Sequence, residues 1–359
     1  MRKKTAAKIA ASVLVTSVAA ATMSGCGLFG GQKTAKELDP PHNVTYVDSK
    51  KSGKDQSKTV SKEQNSNAKM VMRDLYLIDK NGYVVSQTLQ IPKTESTAKQ
   101  SLEYLVDGGP VSNILPHGFR AVLPADTQVL GVSIKNGTAT ADFSKEFANY
   151  KPEDELKILQ SVTWTLTQFD AVKTVKIWIN GHELKEMPVN HTPMNEGLSR
   201  ADGINLDSTD VVDVTDTHPV TVYYLAEEND KTYYVPVTKR VDNQITDPVA
   251  AAVSELIQGP SKSSGLLTDF QTGVKLLGNK KSDGKVTLNF NDAIFGSFDN
   301  KKKMISQEVL NAIVLSVTEQ PGVKNVAITV NGKADLVTEK GKKLSEPVSR
   351  PQKVNTGSF

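Results

Sequence analysis

Ser96-Thr97-Ala98-Lys99 places a hydroxyl three residues ahead of an amine at the start of a predicted helix. That is the spacing by which a serine nucleophile and a lysine base meet across one helical turn. The pattern is not kept where the surrounding sequence recurs. The matching position 151 residues later reads Asp247-Pro248-Val249-Ala250, which retains a helix cap and discards both reactive groups, and no Lys-Thr-Gly accompanies it. Ser66-Asn67-Ala68-Lys69 repeats the spacing in a polar segment with nothing to orient it. The best carboxylate pair for sugar hydrolysis is Asp142 with Glu146, and its counterparts are Asn289 and Ala293. The histidines His42, His117, His182, His191 and His218 form no close pair of the kind zinc requires. Asp207, Asp210, Asp213 and Asp216 recur every third residue but lack the glycine turn and glutamate of a calcium loop. These residues predict no catalytic centre, no metal and no cofactor.

Cys26 is different, because it is the sole cysteine of the 359 residues and has no internal disulfide partner. Arg2, Lys3, Lys4 and Lys8 precede an apolar run from Ile9 to Met23, which is signal-peptide anatomy and short for a spanning helix. Met23-Ser24-Gly25-Cys26 closes it and resembles a bacterial lipobox, with Met where Leu is usual. That resemblance implies lipidation of Cys26 by palmitate-like chains, cleavage before it, and a mature protein held on the outer face of the cell membrane. The four signal cations, removed from a formal net charge of +3, leave −1 on the mature chain, so no basic groove for nucleic acid is expected.

Behind these groups the chain divides by composition. Residues 1–25 read as signal and 26–70 as a polar tether too poor in apolar residues to offset ordering entropy. Residues 71–190 and 220–337 read as domains, 191–219 as a polar linker broken by Pro193, Gly197, Gly203 and Pro219, and 338–359 as a polar tail. With 38% hydrophobic residues, each domain has enough for a core of its own, and at about 110 residues each can fold alone.

The two domains are copies. Val172 to Gly181 matches Val323 to Gly332, and Leu105 to Gly108 matches Leu256 to Gly259, both at an offset of 151. Asn136-Gly137 matches Asp283-Gly284 at 147, so an indel lies near that hairpin, where length changes are tolerated. Ala98, Leu102, Leu105 and Val106, with Val249, Val253, Leu256 and Ile257 in the second copy, make one apolar helix stripe. Leu159, Val162 and Leu166, mirrored by Leu310, Ile313 and Val317, make another. Alternating runs end in Val175, Ile177 and Ile179, mirrored by Val326, Ile328 and Val330. Ser96 and Asp247 are the predicted helix caps. The order β-β-α-β-β-α-β predicts an α+β fold, two helices on one face of a mostly antiparallel sheet, present twice in tandem. On the same alternation Trp178 points away from the core beside Lys176, which makes this pair the candidate interaction surface.

Leu-x-x-Gly-(Gly)-Pro, a hydrophobic hairpin, Leu-Thr or Val-Thr, and Val-x-x-Val-x-Ile before Asn-Gly together resemble the GerMN domain. The pieces are Leu105 to Pro110, Ala139 to Phe143, Leu166-Thr167 and Val172 to Gly181, then Leu256 to Pro260, Val286 to Phe290, Val317-Thr318 and Val323 to Gly332. Pro260 comes one residue early, and Gln320-Pro321-Gly322 replaces Phe169-Asp170-Ala171. The resemblance implies a fold similar to ring-building motifs and a role in sporulation, cortex assembly and germination. It implies a scaffold that recruits or retains envelope or channel proteins and self-associates, rather than an enzyme. The alternative is a factor that binds or modifies cortex peptidoglycan.

Overall fold

The computed structural model describes residues 69–194, 196–209, 215–296, 304–334, 336–339, 341 and 343–356, and all of them belong to one compact unit. The signal, Cys26, His42 and the tether to residue 68 lie outside them. The first repeat runs β1 (Met70–Asp79), β2 (Val84–Pro92), α1 (Thr97–Glu103), β3 (Phe119–Arg120), β4 (Val129–Lys135), β5 (Thr138–Phe143), α2 (Glu155–Leu166), β6 (Thr174–Ile179) and β7 (His182–Glu183). The second runs β8 (Thr217–Glu228), β9 (Lys231–Asp242), α3 (Pro248–Gln258), β10 (Leu276–Ser282), β11 (Lys285–Phe290), β12 (Met304–Ile305), α4 (Gln307–Thr318), β13 (Asn325–Val330), β14 (Val337–Thr338) and β15 (Val348–Ser349).

The α+β class and the duplication hold, and the turns form where their residues require. Asn136 and Gly137, like Asp283 and Gly284, both adopt positive φ, so each pair closes a two-residue hairpin whose twist suits its strands. The predicted stripes are core: Leu102, Leu105, Val162, Leu166, Ile313 and Val317 are fully buried. Two details refine the expected mostly antiparallel sheet. β5 pairs with β6, and β11 with β13, in parallel. The reason is that α2 or α4 carries the chain back across the sheet, so the next strand re-enters in the same direction. Moreover, the β1–β2 and β8–β9 hairpins stand apart from the sheets that hold β4 to β7 and β10, β11, β13 and β15. Leu75, Tyr76, Leu77 and Ile78 are all buried, which shows that both faces of the hairpin are covered. The helix lies along its outer edge, where Thr165 accepts the Tyr76 amide and Ser316 accepts that of Tyr223.

The helix caps are unequal. Asp247 accepts from the amides of Val249 and Ala250 at 2.9 and 3.3 Å. Ser96, predicted to do the same for α1, makes no cap hydrogen bond with its side chain.

The polar linker and the polar tail are ordered straps wherever they are described. Met194 and Ile204 are buried, Leu198 exchanges two hydrogen bonds with Val175, and β8 begins at Thr217, which takes in His218. In the tail Val348 pairs with Val326 and Asn355 is only 3% exposed. Composition concealed this because the straps are held by side-chain and backbone hydrogen bonds to distant strands, which leave no apolar period.

Candidate interaction site

Trp178 occupies β6 between Asp142 on β5 and Glu183 on β7, half-buried on the outer face of the sheet. Its indole nitrogen is enclosed and has no acceptor among the described residues. Lys176, two residues along the same face, is already engaged: its amine donates to Glu183 at 2.6 Å, and Lys185 approaches the other oxygen of that carboxylate. The expected pair is therefore a tryptophan beside an ion pair, without a free cation. In the second repeat Thr329 takes the place of Trp178 and bonds Asn289 instead, so the two outer faces differ in chemistry.

The residues with catalytic potential have structural work. Asp142 accepts the Gly181 amide at 3.0 Å, fixing the turn into β7, and Asn289 accepts the Gly332 amide at 2.8 Å in the same way. Lys99 pairs with Glu103 along α1. His117 and Lys80 both meet Glu228, which ties the first repeat to β8, and His191 contacts Glu186. Among the described residues no group of three or more His, Cys, Asp or Glu could hold a metal ion. Glu155, fully buried at the start of α2, receives Tyr150, Asn190 and Thr192. Burial raises its pKa, but those hydrogen bonds outweigh it and hold the carboxyl below its ordinary range.

The most heavily built polar region is the seam between the repeats, which the sequence reading missed. Tyr233 donates to Asp79 at 2.8 Å, and Tyr83 to the Ser264 carbonyl at 2.9 Å. Arg200 donates to Glu319 at 2.7 Å and lies over the Trp164 ring at 4.3 Å. Arg350 reaches the other oxygen of Glu319 at 3.1 Å and donates to the Tyr223 hydroxyl at 2.6 Å. Burial raises the Glu319 pKa and the two guanidiniums bring it below normal. Beside the seam lies an open cleft of about 390 Å³ lined by Tyr83, Lys157, Ser264, Leu156 and Leu206, the two leucines 51% and 59% exposed. The signal for the seam was present in sequence, since Ser199-Arg200 and Asn205 recur as Ser349-Arg350 and Asn355.

A family model described as "Germane: Sporulation and spore germination" matches residues 74–185 and 221–335, the two repeats. The chain belongs to the Germane family. It is 61% identical, over the full length of both chains, to the spore germination protein GerM of Bacillus subtilis (strain 168). The solved tandem GerMN domains of the sporulation protein GerM from Bacillus subtilis match it with a TM-score of 0.76 and 67% identity, covering 80% of this chain and all of that one. The Germane match stops at residues 185 and 335, so both straps fall outside it.

Proposed function

We propose that this Germane protein is a lipid-anchored, non-catalytic scaffold that recruits or retains envelope proteins during sporulation and germination. The anchor is Cys26, and the docking surface is the outer sheet face around Trp178. The observation that carries the reading is the use of reactive side chains: Asp142, Lys176, Glu155 and Glu319 each satisfy a structural hydrogen bond or ion pair. A half-exposed tryptophan on a rigid strand is the kind of aromatic anchor that dominates protein interfaces. The names of the relatives support the biological setting.

The two repeats are joined along the seam, so they present their unlike outer faces at one fixed geometry instead of as separate beads. A photo-crosslinking residue at position 178, with one at 329 as control, tests this in sporulating cells. The expected result is a discrete protein adduct from 178. Adducts to glycan strands alone, or cortex cleavage by the purified protein, would replace the scaffold with the peptidoglycan reading.

A further inference from the structure

β2 and β9 lie edge to edge, yet they form no ladder with each other. Unpaired amides and carbonyls buried along such an edge each cost about 1–3 kcal/mol. Two asparagines fill the gap. The Asn205 side chain accepts the Val84 amide at 2.8 Å and donates to the carbonyls of Val84 and Pro236 at 2.8 and 2.7 Å. The Asn355 side chain accepts the Tyr234 amide at 2.9 Å and donates to the carbonyls of Tyr234 and Ser86 at 3.0 and 2.8 Å. Each asparagine therefore clamps both backbone groups of one residue of its own repeat and one carbonyl of the other. The flanking backbone follows suit: Thr238 donates to the Ile204 carbonyl, and Thr88 to that of Asn355.

The correspondence extends along both straps. Leu198 pairs with Val175 on β6, and Val348 with Val326 on β13. Arg200 donates to Thr167 and Arg350 to Thr318, and both guanidiniums converge on Glu319. Ile204 is buried, and Val354 packs against the core. Between these points the straps differ: Ala201-Asp202-Gly203 faces Pro351-Gln352-Lys353. One binding geometry thus accepts two segments that share an apolar residue, Ser-Arg, three variable residues, a second apolar residue and Asn.

We infer that the seam is a peptide-binding slot which reads apolar-Ser-Arg-x3-apolar-Asn, and that residues 348–355 occupy its second half in cis. The arginine is read by Glu319 and a ring, and the asparagine by the facing edges of β2 and β9. The occupant is an extended segment of this chain, and an identical segment supplied in trans satisfies the same contacts. This goes beyond the scaffold reading and stands on contacts that do not involve the Trp178 side chain.

The test uses the full chain carrying Arg350→Ala and Asn355→Ala, followed by amide hydrogen exchange. Thr88 and Tyr234, whose amides bond Asn355, should exchange roughly tenfold faster, while the helical amides of Val162 and Ile313 report that the fold is intact. A synthetic peptide of residues 346–356 in excess should restore protection at Thr88 and Tyr234. The same peptide with both alanines should not. If the doubly substituted chain loses protection at Val162 and Ile313 as well, the single Asn355→Ala chain is read by the same rule. Unchanged exchange at Thr88 and Tyr234, or failure of the native peptide to restore it, overturns the inference.

Discussion

Arg200, in the strap that leaves the first repeat, donates at 2.7 Å to Glu319, which closes α4 of the second. The Glu319 side chain is 9% exposed, and Arg350 and Tyr223 occupy its other oxygen. A carboxylate in that position is a joint between repeats whose strength depends on its charge.

Its folded pKa lies below the ordinary 4.5. The stability it contributes is therefore complete above about pH 4.5 and is lost as pH falls through the lower folded value. Asp74 and Asp79 are raised by burial and shift the opposite way, so the Glu319 part is isolated by substitution. Glu319→Gln should lower stability at pH 7 and show a shallower loss between pH 4.5 and 2.5 than the unsubstituted chain. Denaturant midpoints across that range check it, and parallel curves would show that the joint does not depend on charge.

The two helix caps allow a contrast. Asp247→Ala removes two capping bonds and the partner of Asn279, and should cost about 1–2 kcal/mol. Ser96→Ala removes no side-chain capping bond and should cost less than Asp247→Ala. Urea unfolding measures both, and equal losses would contradict the difference in geometry.

That contrast marks where sequence stops being informative. Asn136-Gly137 and the stripe of Leu159, Val162 and Leu166 were legible because local backbone need and helical period act over a few residues. Ser96 and Asp247 look alike in sequence, and only the approach of the preceding chain decides which oxygen reaches the helix amides. Arg200 and Asn205 read as linker because their partners, Glu319 and Pro236, lie 119 and 31 residues away. The recurrence of Ser-Arg with Asn was visible, but it becomes meaningful only once β2 and β9 are known to face each other.

Asp142 distinguishes structural from catalytic use. Asn289 performs its task in the second repeat, so Asp142→Asn should leave stability within about 0.5 kcal/mol. Asp142→Ala frees the Gly181 amide and should cost roughly 1 kcal/mol. Thermal unfolding and sporulation efficiency together check this. A harmless alanine for stability combined with a complete loss of function in Asp142→Asn would restore the carboxylate to a chemical role.

Cys26 lies outside the described residues, and its proposed lipidation rests on the residues around it. Cys26→Ser should abolish incorporation of labelled palmitate and leave an uncleaved precursor. Equal labelling of both chains would remove the anchor from the proposal.

Trp178 calls for a substitution that separates packing from recognition. Alanine would leave a gap beside Asp142 and Glu183, and any defect could then be blamed on the sheet. Threonine is the better choice, because Thr329 occupies the equivalent place on β13 and bonds across to β11 without disturbing the pairing. Trp178→Thr should therefore keep its unfolding midpoint within about 1 kcal/mol of the native chain. A central aromatic anchor typically carries about 2 kcal/mol or more of binding energy, so its loss should weaken partner capture by roughly thirtyfold. Thr329→Trp, which adds an aromatic to the other face, should leave that capture unchanged. Undiminished partner capture and normal germination in the Trp178→Thr strain would remove this face from consideration and direct attention to the leucine-lined cleft beside the seam.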